Sequence, residues 1–293
     1  MAYGSDPTVR SWLLGAKLKQ ARDDKGLSVK EVAAQAERAE STIYRNESGH
    51  TAVNKTLVEF YINLYKPRRS DADHWRYLAS HSRQRGPWGP SGRIVGPTYR
   101  DFADAEAMAD VIMTWNPQAV PGLMQTTDYS KTVIGAAAEA YPAGSYPADQ
   151  YMELREQRKG LLSLETRPRM SVVMDQGALE RVIGGPKVML EQVSHLHTIS
   201  SQSRTSIRVL PYEAGSHAGL SGGFTIFRFG RDAIVFREGH GDGTFLDDAE
   251  QIEIYVARYE LLQNKAWSDT QSRRYLREQR GSLIAHDEGS STP

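Results

Sequence analysis

Residues 26–49, GLSVKEVAAQAERAESTIYRNESG, carry two short apolar stripes at helical spacing with only a tight turn between them. Such stripes are buried together when one helix crosses the other, which fixes a compact helical corner. Leu27-Ser28 closes a loop, Ser28 is a good N-cap for a helix over 29–36, and Glu31 stands three residues on, as in a capping box. Val32, Ala33 and Ala36 fall on the inward face, and the small Ala33 lets the next helix pass close. That helix starts near Ala39 or Glu40 and runs to about Asn46. Ile43 points to the core, and Gly49 serves as a C′ glycine. Glu37 occupies the turn, where it must take a positive φ at some cost or reshape the turn.

Glu40, Ser41, Tyr44 and Arg45 are spaced i, i+1, i+4, i+5 and share the opposite, polar face of the second helix. A face of this kind fits the major groove of DNA, where an Arg donates two hydrogen bonds to guanine. The candidate DNA contacts are Glu40, Ser41, Thr42, Tyr44 and Arg45 on this helix, with Ser28, Lys30, His50 and Lys55 around it. Ser41, Tyr44 and Arg45 are expected at the bases, and Ser28, His50 and Lys55 at phosphates. Glu40 puts an acid at a base-contact position, where it either accepts from cytosine N4 or weakens binding. A helix over 12–25 with Leu14, Leu18 and Ala21, and another with Leu57, Tyr61 and Leu64, complete a bundle of about 55 residues, enough for a small domain. The competing reading is a helical protein-binding module.

The residues Arg22, Gly26-Leu27-Ser28, Glu31-Val32-Ala33, Ser41-Thr42-Ile43, Arg45, Glu47 and Gly49 resemble the helix-turn-helix domain of the xenobiotic-response-element family of bacterial regulators. The resemblance implies an ion pair between an Arg on the first helix and the Glu near the end of the recognition helix, here Arg22 and Glu47. Two positions depart from the family pattern: Glu37 replaces the turn glycine, and Val29 replaces a polar, phosphate-touching residue.

The length of 293 residues suggests two domains. The 36 Lys/Arg and 36 Asp/Glu balance, so affinity for DNA must come from local placement of charge. In 68–93, Arg68, Arg69, Arg76, Arg83, Arg85 and Arg93 outnumber Asp71 and Asp73, which suits a solvated helix face or a phosphate contact equally. The chain has no cysteine, which excludes disulfides, cysteine zinc sites and cysteine nucleophiles. No apolar run reaches membrane-spanning length and the N-terminus has no apolar signal core. A cytoplasmic protein, nucleoid-associated when on DNA, is expected.

The first domain is expected at 10–66. A helix over 71–83 and the Gly/Pro-rich run at 85–92 fill a linking segment, 67–98. A second domain spans 99–280, and 281–293 reads as a disordered tail. Within the second domain the pattern gives a helix over 99–109, a strand at 110–115, a Pro121-Gly122 turn, and a helix from Tyr129 capped by Thr127 or Asp128. A charged helix over 149–162 follows, then a strand at 168–174 and helices at 177–183 and 186–202. Strands at 206–210, 223–229 and 233–237 precede a final amphipathic helix over 247–267, with Ile252, Tyr255, Tyr259 and Leu262 on one face. The expected fold class is an N-terminal all-α helix-turn-helix bundle plus a C-terminal α+β domain.

Glu106, the segment Pro121-Gly122-Leu123-Met124-Gln125-Thr126, Tyr129, Arg155 and Arg158, Val209-Leu210-Pro211 and Gly222-Gly223-Phe224 follow one another in the second half. In this order they resemble the C-terminal domain of actinobacterial regulators of the WhiJ type, with Met124 in place of a Leu. The resemblance implies a small partner protein encoded nearby, in an antitoxin-like arrangement tied to development or antibiotic production. Pro121, Gly122, Leu123, Gln125, Thr126 and Tyr129, with Arg155 and Arg158, are the candidate partner or ligand surface, because polar Gln125 and Thr126 interrupt an apolar turn. The alternative is a buried loop that caps the domain.

Enzyme readings find little support. His195 and His197 stand i, i+2 on a helix and point apart, a poor metal pair. The run Gly239-His240-Gly241-Asp242-Gly243 lacks a following Gly-Lys-Ser/Thr, and there is no Gly-x-Ser-x-Gly or His-Glu-x-x-His. No catalysis, metal or cofactor is expected. With ten Lys/Arg against eight Asp/Glu in 1–66, one reader domain binds DNA weakly, and two copies on a palindromic site bind better. A homodimer is therefore expected, paired through Tyr255, Tyr259 and Trp267 or through strands near Phe224 and Phe236. The alternative is a monomer whose second domain blocks the reader. The expected function is sequence-specific transcription regulation, as a repressor that senses a small partner protein or ligand. The alternatives are an antitoxin-like protein that mainly sequesters a small cognate partner, and a small-molecule sensor.

Overall fold

The computed structural model describes residues 8–82, 97–165, 167–239 and 243–289. The chain divides into two compact units, Met1–Gly89 and Pro90–Pro293. The Gly/Pro-rich run at 85–92 lies outside the described residues.

The first unit is helical: α1 Val9–Asp24, α2 Val29–Ala36, α3 Glu40–Glu47, α4 Lys55–Tyr65 and α5 Arg69–His81. Thr8, Ser28 and Asn54 start α1, α2 and α4, each side chain accepting the N–H of the residue three on. Those caps satisfy donors that a helix start leaves free. Leu13, Leu14, Leu18, Val32, Ile43, Val58, Tyr61 and Leu78 form the core. The inward face of α4 is Val58, Tyr61 and Tyr65; the expected Leu57 and Leu64 are only half-buried. The reason is α5, which packs on α1 and α4. Its Trp75 meets the Tyr65 ring edge-on at 6.4 Å, drawing that side of α4 inward. So α5 belongs to this unit. Its Arg76 is committed to Glu59 through bonds of 2.7 and 2.9 Å.

The second unit is built on a mixed sheet of six strands in the order β3-β2-β1-β4-β5-β6. The strands are β1 Val111–Asn116, β2 Arg169–Asp175, β3 Thr205–Leu210, β4 Phe224–Phe229, β5 Asp232–Arg237 and β6 Thr244–Leu246. β1, β2 and β3 run parallel, because helices separate them in sequence; β4, β5 and β6 are antiparallel. The helices are α6 Pro97–Met108, α7 Thr127–Ala138, α8 Ala148–Lys159, α9 Gln176–Glu180, α10 Pro186–Ile199, α11 Ala249–Lys265 and α12 Asp269–Gly289. One sheet face packs Trp115, Val173, Phe224, Ile226 and Val235 against Tyr259 and Leu262 of α11. On the other, Phe102 of α6 meets Phe227 and Phe236 edge-on at 5.2 and 4.7 Å. An all-α helix-turn-helix region followed by an α+β domain is the architecture that the sequence pattern implies.

Four expectations need correction. Residues 281–289, expected as disordered tail, continue α12, so the helix over 247–267 is not the last. α12 runs along α10 and β3. Residues just before and within it cover the edge of β3: Trp267 N donates to Val209 O (2.9 Å), and Val209 N donates to the Ser272 side-chain Oγ (3.0 Å). A bare sheet edge is an aggregation hazard, which this cover removes. α7 starts at Thr127 with Thr126 as its N-cap and no side-chain cap bond, so neither Thr127 nor Asp128 caps it. The aromatic face offered for dimer pairing is not free either. Tyr259 is 1 % exposed; Tyr255 packs on Phe224 and Trp267 on Tyr275, each at 5.0 Å. Phe224 lies in the core under α11, and Phe236 packs against Phe102.

Candidate nucleic-acid interface

α2 and α3 form the helix-turn-helix corner. The Ser28 hydroxyl accepts from Glu31 N, while Ser28 N and Oγ both donate to the Glu31 carboxylate at 2.7 Å. Those bonds, the backbone one first, hold the Glu31 carboxyl below its usual range. They also occupy the Ser28 hydroxyl that was expected at a phosphate. Glu37 ends α2 in the left-handed conformation, φ 53, ψ 46. Val29 is buried.

α3 is held from beneath. Ile43, Asn46 and Glu47 are its buried side chains. Asn46 donates to Thr51 O (3.0 Å) and accepts from Tyr61 Oη (3.2 Å). Arg22 Nε and Nη2 donate to the two Glu47 oxygens at 2.6 and 3.0 Å, and Nη1 donates to Leu27 O at 2.9 Å. The Arg22–Glu47 pair is thus bidentate, and the bond to Glu47 holds the Arg22 guanidinium firmly charged. Two glycines admit α3 here: Gly15, which sequence reading missed, and Gly49, read as a C′ glycine but not as a point of close approach. A Cβ on Gly15 would stand 2.5 Å from Glu47 O, and one on Gly49, at φ +75, 2.6 Å from Trp12 Cα. Gly15 leaves no motif signal, but a lone Gly inside a helical stripe marks a close approach.

Glu40, Ser41, Tyr44 and Arg45 line the outer face together, all exposed, with Tyr44 58 % exposed. Thr42 is half-buried; Lys30, His50 and Lys55 are exposed around them. His50 Nδ1 lies 2.9 Å from Ser48 Oγ. Lys55 opens α4, where the helix dipole adds to its charge. Among the described residues, Lys30, Arg45 and Lys55 make no ion pair. This face can donate to phosphates and base edges.

Of the two readings of the second unit's candidate loop, exposed surface or buried cap, the burial follows the second. Pro121, Leu123, Gln125, Thr126 and Tyr129 are buried, Gly122 and Arg155 half-buried. Gln125 donates to Val120 O (2.7 Å) and accepts from Ser130 Oγ (3.1 Å) and Arg155 Nη1 (2.7 Å). Gln192 accepts from Thr126 N and donates to Met124 O, both at 2.8 Å. Tyr129 Oη accepts from Val120 N. Arg158 pairs with Glu106 at 2.6 and 2.7 Å and donates to Tyr99 Oη. Burial pushes the Glu106 carboxyl up against the pull of Arg158. The loop therefore turns the Gln125 side chain, Tyr129 Oη and the backbone of Met124 and Thr126 inward, since buried polar groups need partners; among the described residues the buried Thr126 Oγ1 finds none. Gln192 and Tyr99 belong to this network and were missed, because neither forms part of a local motif.

Two family models match the chain. A helix-turn-helix domain covers residues 13–75, and a domain of unknown function, DUF5753, covers residues 99–278, more than half of the chain. The chain belongs to the DUF5753 family. No curated protein and no solved structure matches it. The helix-turn-helix match spans α2 and α3 and includes most of α5, and marks this DUF5753 protein as a DNA-binding regulator. In its DUF5753 domain, His195 and His197 are half-buried on α10, and burial lowers the His195 pKa. His240 and Asp242 lie outside the described residues. Among the described residues there is no group of His, Asp and Glu arranged for a metal, and no helix is long and apolar enough to cross a membrane.

Proposed function

We propose that the protein is a sequence-specific transcription regulator that reads a palindromic operator as a homodimer, through the outer face of α3. The observation that carries this reading is the contrast within α3. The side chains that anchor it, Ile43, Asn46 and Glu47, point inward, while Ser41, Tyr44 and Arg45 stand exposed and, among the described residues, Arg45 makes no ion pair. Arg45 reads a guanine, Ser41 and Tyr44 touch neighbouring bases, and Lys30, His50 and Lys55 approach phosphates. The protein acts as a repressor in the cytoplasm, associated with the nucleoid when bound. The DUF5753 domain is a sensor of a small partner protein or ligand, of the WhiJ type, without catalysis or cofactor. Residues 121–129 with Arg155 and Arg158 are the frame of that sensor.

Fluorescence anisotropy on an enriched duplex tests this. Arg45→Ala should weaken binding by about 1–3 kcal/mol and relax specificity at one base pair. Lys55→Ala should weaken all sequences alike and lower the salt slope by about one. Unchanged affinity in Arg45→Ala would remove α3 as the reader.

A further inference from the structure

α11 buries one face and leaves the other bare. Tyr259 and Leu262 enter the core. On the far side Ile254 is 46 % and Leu261 56 % exposed, and their i, i+7 spacing puts them in one line along the helix. Ala257 lies between them. Arg258 is drawn aside over the Tyr255 ring, 5.1 Å from its centroid, and leaves the line uncovered. One turn before Ile254 stands Glu250, and one turn after Leu261 stands Lys265, both exposed on the same face.

We propose that this face pairs with the same face of a second copy, the two α11 helices antiparallel about a two-fold axis beside Ala257 and Arg258. A two-fold contact brings each residue to its counterpart across the centre. In a register centred between 257 and 258, Ile254 meets Leu261 and Glu250 meets Lys265, each twice. Ala257 sits at the crossing, where its small side chain allows close approach. A parallel pairing would set Glu250 on Glu250 and Lys265 on Lys265. The charge pattern therefore selects a second copy in the antiparallel sense. Lys265 Nζ is held in place by donating to Ser216 O at 2.7 Å and Ala214 O at 3.4 Å, and one N–H remains for a carboxylate. One helix pair buries less than the roughly 1,200 Å² of a stable interface. The association is accordingly weak in solution and is completed when both readers hold one duplex.

This inference rests on the homodimer reading and names its surface. Sedimentation velocity of the full chain, over micromolar to submillimolar concentrations and on a palindromic duplex, tests it. The wild type should exchange between monomer and dimer alone and be dimeric on DNA. Glu250→Lys and Lys265→Glu should each weaken association about fivefold, the scale of an exposed ion pair met twice, and the double swap should restore it. Leu261→Asp, at an exposed site that leaves the fold intact, should abolish the free dimer. Dimerisation of Leu261→Asp like the wild type, or no recovery in the double swap, would overturn this surface while leaving the homodimer reading in place. A wild type that stays monomeric alone and on DNA would overturn the homodimer reading, and this surface with it.

Discussion

The two units use the same chemical device, a bidentate Arg–Glu pair, for different ends. In the helical unit Arg22 and Glu47 have side chains 11 % and 5 % exposed. They tie α1 to the last turn of α3 and leave the outer face of α3 unoccupied. In the DUF5753 domain Arg158 and Glu106 are 3 % and 5 % exposed. They lie among Tyr99, Arg155 and Gln125, within a network that engages the Gln125 side chain from inside the domain. The same kind of pair thus supports an open working face in one unit and closes an interior in the other. A polar motif in a sequence reports that its atoms need partners; only packing tells whether those partners are inside or outside the molecule.

The largest effect that sharpens this contrast is expected at Glu106. Glu106→Ala leaves a buried guanidinium unpaired and should cost about 3–5 kcal/mol, read by urea unfolding of the second unit. Replacing both partners, Glu106→Leu with Arg158→Met, should cost clearly less. Equal costs would show that the pair is not the buried anchor described. Arg22→Ala should cost less than Glu106→Ala, about 2–3 kcal/mol, because its surroundings are wetter. It should also loosen α3, seen as faster amide exchange at Ile43 and Tyr44. A larger loss at Arg22 than at Glu106 would reverse the comparison.

The helical unit was legible from local signals. Ser28 with Glu31, Glu37 in the turn, Ile43 and Gly49 each sit where a short-range rule places them. Strands β1 to β5 of the DUF5753 domain were legible too, from apolar runs between turns; the short β6 and the order of strands in the sheet were not. Two further features escaped. The helix α12 was not read as a helix, and its last residues, 281–289, were read as tail, although Ser268 and Gln271 form a capping box, each bonding the other's backbone N–H; its exposed, charged face dilutes the apolar stripe. For the loop at 121–129 the local pattern left surface and buried cap both open, because its inward partners, Gln192 and Arg155, are distant in sequence. Long-range satisfaction of polar groups leaves no periodic trace.

A smaller effect is expected at the α2 cap. Ser28→Ala should cost about 1 kcal/mol, measured by thermal unfolding. The Glu31 carboxyl is lowered in the folded state. Its contribution is therefore complete above the ordinary glutamate range and is lost as pH falls through the lowered folded value. The gap between wild type and Ser28→Ala should narrow on acidification; a gap that widens would contradict the capping geometry.

The central claim is that the outer face of α3 reads DNA. Its most direct test is to enrich duplexes from a random pool with the full chain and, separately, with Arg45→Ala, and to sequence both. The account predicts one motif for the wild type, and for the variant the same motif with preference lost at a single base pair per half-site. No motif from the wild type, or an identical motif from Arg45→Ala, would contradict it.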